Sequence, residues 1–288
     1  MKLTESLFRL PLLNRIERPP VVSVLRLAGP IGHVGPLRSG MSLESLAEPI
    51  EHAFKLPNLS AVALIVNSPG GSPVQSALIA QRIRDLADEK NVKVYAFCED
   101  VAASGGYWLA CAADEIYAAQ SSIVGSIGVV SAGFGFQDLI QRYGIERRVH
   151  ASGEKKVILD PFREEDPDDV SRLEAIQAEV HDDFKAMVRA RRGKRLKADG
   201  DTLFSGEFWT GRRAFELGLV DAIGEARHTL RGIYGDKVRL RPVQPRRGWL
   251  RRKLRFGTAI HGGALPEGWA GDVLAALEER ALWSRFGL

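Results

Sequence analysis

Residues 61–66, Ala-Val-Ala-Leu-Ile-Val, are apolar without a break and run straight into Asn67-Ser68-Pro69-Gly70-Gly71. An alternating strand can leave one face in water, whereas an unbroken apolar strand must be covered on both faces. That requirement points to the interior of a parallel sheet packed between helices. The Pro-Gly-Gly turn then stops the strand abruptly. The flanking sequence fits the same plan. Strands are predicted over residues 21–27, 92–97, 115–118 and 145–150. Helices are predicted over 43–54, from 73 to about 88, over 104–113 and over 136–143. Strands separated by helical segments make βαβ units, so the fold class is α/β with a mostly parallel sheet. Such sheets place their sites at the carboxyl ends of the strands, where both glycine-rich turns of this chain fall.

The second of those turns is Val101-Ala102-Ala103-Ser104-Gly105-Gly106-Tyr107-Trp108, in which one hydroxyl stands between small residues and a glycine pair. Ser104 is read as a nucleophile. Glycine lets backbone N–H groups approach a ligand closely, and fixed N–H groups are what holds the oxyanion of a tetrahedral intermediate. The bland alternatives are an N-cap for Ser104 and a plain strand-to-helix turn for Gly70-Gly71. Ser72-Pro73-Val74-Gln75 has the spacing of a capping box with Pro at the first helical position.

Two further segments decide between these readings. Gly125-Ser126-Ile127-Gly128-Val129 and Ala151-Ser152-Gly153-Glu154-Lys155-Lys156 follow in order. The series resembles the signal peptide peptidase A family of serine peptidases, which shares the fold of Clp protease and crotonase, over residues 21–223. The resemblance implies Ser104 as nucleophile, Lys156 as its general base and Ser126 as the hydroxyl that orients the lysine. Gly71 and Gly105 are the expected oxyanion donors. A lysine can serve as base only when neutral, which burial favours by disfavouring its charged form. Lys155 is the neighbour to exclude; in an extended segment the two lysines would point to opposite faces.

Other chemistries find less support. His150 with Asp160 or Asp138 would be the components of a histidine triad, but no matching histidine motif follows the serine. His33, His52, His181, His228 and His261 stand singly, and no cluster has zinc spacing, so neither a metal nor another cofactor is expected. Cys98 and Cys111 lie in apolar surroundings without C-x-x-C spacing and read as small core residues of a reducing compartment. The formal net charge of +4 is too small to imply a nucleic-acid partner.

The expected organisation is an N-terminal segment over residues 1–20, a Ser-Lys peptidase domain over 21–235 and a basic extension over 236–288 ending in a short helix around 273–277. Residues 1–18 hold no span of about 20 apolar residues, which predicts a cytoplasmic location, with peripheral contact at the membrane. Residues 246–256 alternate arginines with Trp249, Leu250, Leu254 and Phe256, a composition suited to an anionic membrane surface. A long helix opening at residues 166–169 carries Val170, Leu173, Ile176, Val180, Phe184, Met187 and Val188 as one apolar stripe. This region, and residues 204–214, resemble the part of the family that assembles rings or domes, implying a homo-oligomer. The activity implied is an ATP-independent serine endopeptidase acting on short or unfolded peptides such as signal-peptide or membrane-protein remnants. A crotonase-like acyl-CoA hydratase or isomerase and a non-catalytic scaffold are the alternatives.

Overall fold

The computed structural model describes residues 19–34, 38–243, 276 and 280–288. Its centre is an eight-stranded sheet. Strand β1 (Val21–Ala28) pairs in parallel with β4 (Leu59–Ser68), and β4 with β5 (Lys93–Ala103). Beyond β5 lie β6 (Glu115–Ala118) and β9 (Ala222–Ile223), also parallel. The small hairpin-like pair β2 (His33–Val34) and β3 (Arg38–Ser39) stands apart. The α/β, mostly parallel architecture expected from the apolar runs is what forms.

Helices cover both faces. Helices α1 (Leu43–Ala53), α2 (Pro73–Lys90) and α3 (Gly105–Ala110) close the larger core over Leu25, Leu27, Leu64, Val66, Ile79 and Ile83. On the opposite face Leu230, from a helix over Ala226–Tyr234, seals Val22, Ala61, Ala63, Ile65, Tyr95 and Phe97. The central run is therefore buried on both sides, which is why it tolerates no polar residue between 61 and 66.

Several sequence expectations need correction. Residues 145–150 form no strand; they are largely exposed coil, because two apolar residues, Ile145 and Val149, make no buried face and no neighbouring strand offers hydrogen bonds. The expected helix over 104–113 ends at Ala110 and finishes as turns. Only half of the capping box exists: Ser72 Oγ accepts from Gln75 N–H at 3.4 Å, while Gln75 Oε1 accepts from Leu43 N–H at 2.8 Å instead of reaching back. The sheet also passes the domain boundary drawn at 235, since β10 (Arg239–Val243) pairs in parallel with β1. The proposed membrane-contacting residues 246–256, the start of the terminal helix and residues 1–18 lie outside the described residues.

The chain between β7 (Ile123–Gly125) and the long helix is an arm with little burial. It carries the six-residue helix α4 (Gln137–Arg142) and a single 3₁₀ turn, Glu154–Lys156. It leads into α5 (Pro167–Arg192), capped by Asp166 Oδ1 accepting from Asp168 N–H at 2.9 Å. Of the stripe expected on α5, Phe184 and Val188 are buried, with Phe184 stacked on Trp108 at 4.7 Å. Ile176, nearer the start of the helix, is 49% exposed.

Candidate active site

The two glycine-rich turns meet because β4 and β5 are sheet neighbours and both end at the same edge. A register shift between Val66 and Ser68 lets Ser68 pair with Ala102. Asn67 fastens the edge: its amide donates to Asp100 Oδ2 at 2.7 Å and its carbonyl oxygen accepts from Val101 N–H at 3.2 Å. Ser68 Oγ accepts from Gly70 N–H at 3.2 Å and shapes the first turn. Ile31 clamps that turn from outside, donating to Gly70 O at 2.8 Å and accepting from Ser72 N–H at 2.9 Å. Asn67 and Ser68 belong to the turn motif that the sequence shows, but Ile31 is marked by no pattern, since it acts through contacts made across the sheet edge.

Ser104 occupies the corner between β5 and α3 with φ 51° and ψ −123°, a backbone conformation that non-glycine residues rarely adopt. It stands at the N-cap position of α3, yet its hydroxyl makes no capping bond. The N-cap interpretation therefore explains the position and leaves the hydroxyl unused. The corner is held through the backbone, with Ser104 N–H donating to Gly125 O at 2.8 Å and Ser104 O accepting from Trp108 N–H at 3.0 Å.

Gly70 and Gly71 are required by space as well as by conformation. A Cβ at Gly70 would lie 2.8 Å from Ser104 Cβ and 2.9 Å from Gly105 N, and one at Gly71 would lie 2.1 Å from Ile31 O. Their φ values are +99° and +140°. The backbone of the first turn is thus pressed against the serine corner. Among the described hydrogen bonds, neither Gly71 N–H nor Gly105 N–H has an acceptor. Two donors are left available beside one hydroxyl.

Ser126 joins the same corner. Strand β7 pairs with β5 so that Ala103 opposes Gly125, which makes Ser104 and Ser126 the next residues on adjacent strands. Ser126 is 7% exposed, has φ 53°, and donates its N–H to Glu207 O at 2.7 Å. His181, from α5, comes within 3.2 Å of the carbonyl of Ile127, the residue that follows. Cys98 and Cys111 are free and buried, and burial pushes their thiols up to about 12 and about 11.

Lys156 does not reach this corner within the chain. It is exposed on the 3₁₀ turn, and no hydrogen bond or ion pair joins it to Ser104 or Ser126 among the described residues. Lys155 is engaged elsewhere, 3.2 Å from Asp169 Oδ1 and 3.9 Å from Asp166 Oδ2, and the Asp169 hydrogen bond raises its pKa. The two lysines lie on one turn of 3₁₀ helix rather than on opposite faces of an extended segment. His150 is exposed, and Asp160 accepts from Arg147 Nε at 3.2 Å and Phe162 N–H at 3.1 Å, not from the histidine. No group of His, Cys, Asp and Glu with metal-binding geometry occurs among the described residues.

Comparison with known proteins agrees with the geometry. The model of peptidase family S49 matches residues 87–234. A putative protease of Synechocystis is 34% identical over 199 residues, covering 67% of this chain and 70% of that protein. A Brucella abortus protein named Na(+)/H(+) antiporter NhaA is 52% identical over 272 residues, 93% of this chain but 37% of that protein. The chain thus spans little more than a third of that relative. Among solved structures, the 1510-N membrane-bound stomatin-specific protease, a lysine-to-alanine mutant in complex with a substrate peptide, superposes with a TM-score of 0.50 at 15% identity. The match covers 83% of this chain and 97% of that one and shows a shared fold.

Proposed function

Because this chain belongs to peptidase family S49, we propose that it is a serine endopeptidase in which Ser104 attacks and Lys156 carries the proton. The observation that carries the reading is the uncapped Ser104 hydroxyl, held in a strained corner beside two N–H groups that have no acceptor among the described residues. Ser104 Oγ adds to the scissile carbonyl carbon while neutral Lys156 takes the hydroxyl proton. The resulting oxyanion lies against Gly71 N–H and Gly105 N–H, donors that need no reorganisation as charge develops. Collapse breaks the C–N bond, and the lysine returns its proton to the leaving amine. Water, deprotonated in turn by the lysine, releases the acyl group and regenerates Ser104. Ser126, on the adjacent strand, orients the lysine. The hydratase reading needs no hydroxyl at position 104 and leaves this corner without a purpose.

Lys156 is exposed on the arm, whereas a lysine that acts as a base has to be desolvated. The site is therefore completed by a second copy of the chain, which buries the arm and brings Lys156 to a serine corner. The arm supports this: Phe134 is 82% exposed, Tyr143 72% and Ile145 58%, and Phe134, Phe136, Leu159 and Leu173 line a groove of about 750 Å³ together with the charged Asp138, Asp160, Arg163 and Glu165. An apolar surface of that kind calls for a partner. A homo-oligomer would also restrict entry to short or unfolded peptides, such as signal-peptide or membrane-protein remnants, cleaved without ATP. We place the enzyme in the cytoplasm, in peripheral contact with the membrane.

A fluorophosphonate probe tests the nucleophile. Labelling of the parent and its loss in Ser104→Ala are expected; undiminished labelling of Ser104→Ala overturns the assignment. Ser104→Ala and Lys156→Ala are each expected to be inactive with the fold intact, because nucleophile and base act as a unit. Mixing the two inactive proteins should restore part of the activity if the dyad crosses subunits. Mixtures that stay inactive, together with a fully active monomer in light scattering, refute the shared site.

A further inference from the structure

We propose that the Lys155–Asp169 ion pair is a positioning device for Lys156: by fastening the first of two adjacent lysines to the first turn of α5, it sets the direction in which the second leaves the chain. The inference rests on Lys156 being the base. Lys155 has φ −92° and ψ 20°, away from regular helical values, so the turn is irregular and its own hydrogen bonding holds side-chain direction weakly. Anchoring Lys155 therefore restricts the backbone from which Lys156 projects.

Little else fixes that turn. It follows Gly153, whose φ of +99° and lack of nearby atoms leave it unconstrained, and its one internal backbone bond is Lys156 N–H to Gly153 O at 3.1 Å. The base of the surrounding loop is closed on both sides, by Arg147 Nε to Asp160 Oδ2 at 3.2 Å and by Phe136 N–H to Pro161 O at 2.6 Å. The tip is not. There the contact of Lys155 Nζ with Asp169 Oδ1 at 3.2 Å is what ties the turn to α5, with Asp166 at 3.9 Å in support.

The partner is well chosen for this purpose. Asp169 is 8% exposed and sits in the first turn of a 26-residue helix, so its carboxylate is part of a rigid element. The favourable end of the helix dipole stabilises its charge there. The same contact keeps Lys155 protonated and so unfit to act as a base in place of its neighbour. A charged lysine held to α5 and a neutral one delivered to the serine would explain why two adjacent lysines have different tasks.

The test uses the full chain and a fluorogenic peptide, with kcat, KM, melting temperature and fluorophosphonate labelling rate measured for Asp169→Asn, Lys155→Ala, Lys155→Arg and the Lys155→Ala/Asp169→Asn double variant. Each of the first two is expected to lose about tenfold in kcat, since small misplacements of a reacting group cost rate and not binding. KM should stay within about twofold, and the melting temperature should fall only slightly, by the loss of one charge at the helix start in Asp169→Asn. The double variant should be no worse than either single one, and Lys155→Arg should retain the parental kcat. Parental kcat in both Asp169→Asn and Lys155→Ala, with Lys156→Ala inactive, overturns the positioning role while leaving the Ser-Lys scheme standing. Losses that multiply in the double variant also overturn it. Full activity of Lys156→Ala instead removes the scheme on which the inference rests.

Discussion

Gly70→Ala is the substitution through which the geometry of the serine corner can be read most directly. A methyl group at Gly70 would stand 2.8 Å from Ser104 Cβ, 2.9 Å from Ala103 O and 2.9 Å from Gly105 N. Carbon atoms settle at about 3.5–4.0 Å, so relief of the first contact alone moves the serine corner or the turn by about 1 Å. Two penalties combine. A φ of +99° imposes about 1–3 kcal/mol on a residue bearing a Cβ, and the overlap adds about 1–3 kcal/mol more. If the corner yields, Ser104 is displaced by about the distance that costs 10²-fold in rate. If the turn yields instead, Gly71 N–H leaves the oxyanion position and the loss is again about 10²–10³-fold. The expected result is a fall in kcat of at least about 100-fold, a slower fluorophosphonate reaction, and a stability loss of about 2–6 kcal/mol by chemical denaturation. A Gly70→Ala protein with kcat within about threefold of the parent would show that the two turns are not packed against each other in the working enzyme.

Other consequences concern stability and assembly. Arg192 is 3% exposed and donates to both Asp221 oxygens, at 2.7 and 3.0 Å, and to Gly218 O; Asp221→Ala, which strands that buried guanidinium, should cost about 3–5 kcal/mol by urea denaturation. Burial alone would raise the Asp221 carboxyl, but the bonds from Arg192 and Ile116 N–H outweigh it and hold the pKa below the usual carboxylate value. The contribution is therefore complete above about pH 4 and is lost as pH falls through the lowered pKa, so acid unfolding should begin at higher pH in Asp221→Asn; coincident acid curves would contradict this. Ser23 Oγ is fully buried without a partner among the described residues, so Ser23→Ala should hold or raise the melting temperature, and a clear fall would reveal an interaction of that hydroxyl. Phe134→Ser combined with Tyr143→Ser should weaken self-association in sedimentation velocity and lower activity at dilute concentration; an unchanged oligomer would remove the arm from the interface.

Much of the architecture was legible in the sequence because its determinants are local. The unbroken apolar run at 61–66 could only be a strand covered on both faces, and the Pro-Gly-Gly and Ser-Gly-Gly segments could only be sharp exits from strands. The short strands were not legible. Phe208–Thr210, Ala222–Ile223 and Arg239–Val243 have two to five residues each and carry exposed or charged side chains, so their pairing depends on neighbours that already exist. The opposite error at residues 145–150 has the same origin: β-branched Ile145 and Val149 were present and a partner strand was not.

The site divides along the same line. The small-residue setting of Ser104 was readable from residue type, whereas Gly71, Gly105 and Ser126 were singled out by the resemblance of their motifs to a peptidase family. Tertiary structure brought them together, through the β4–β5 register shift, the Ala103–Gly125 pairing, and Asn67, Ser68 and Ile31 acting across the sheet edge. It also separated the two adjacent lysines, holding Lys155 on Asp169 and leaving Lys156 exposed. Residue type declares what a group can do; that Lys155 rather than its identical neighbour meets a carboxylate 14 positions away is set by folding.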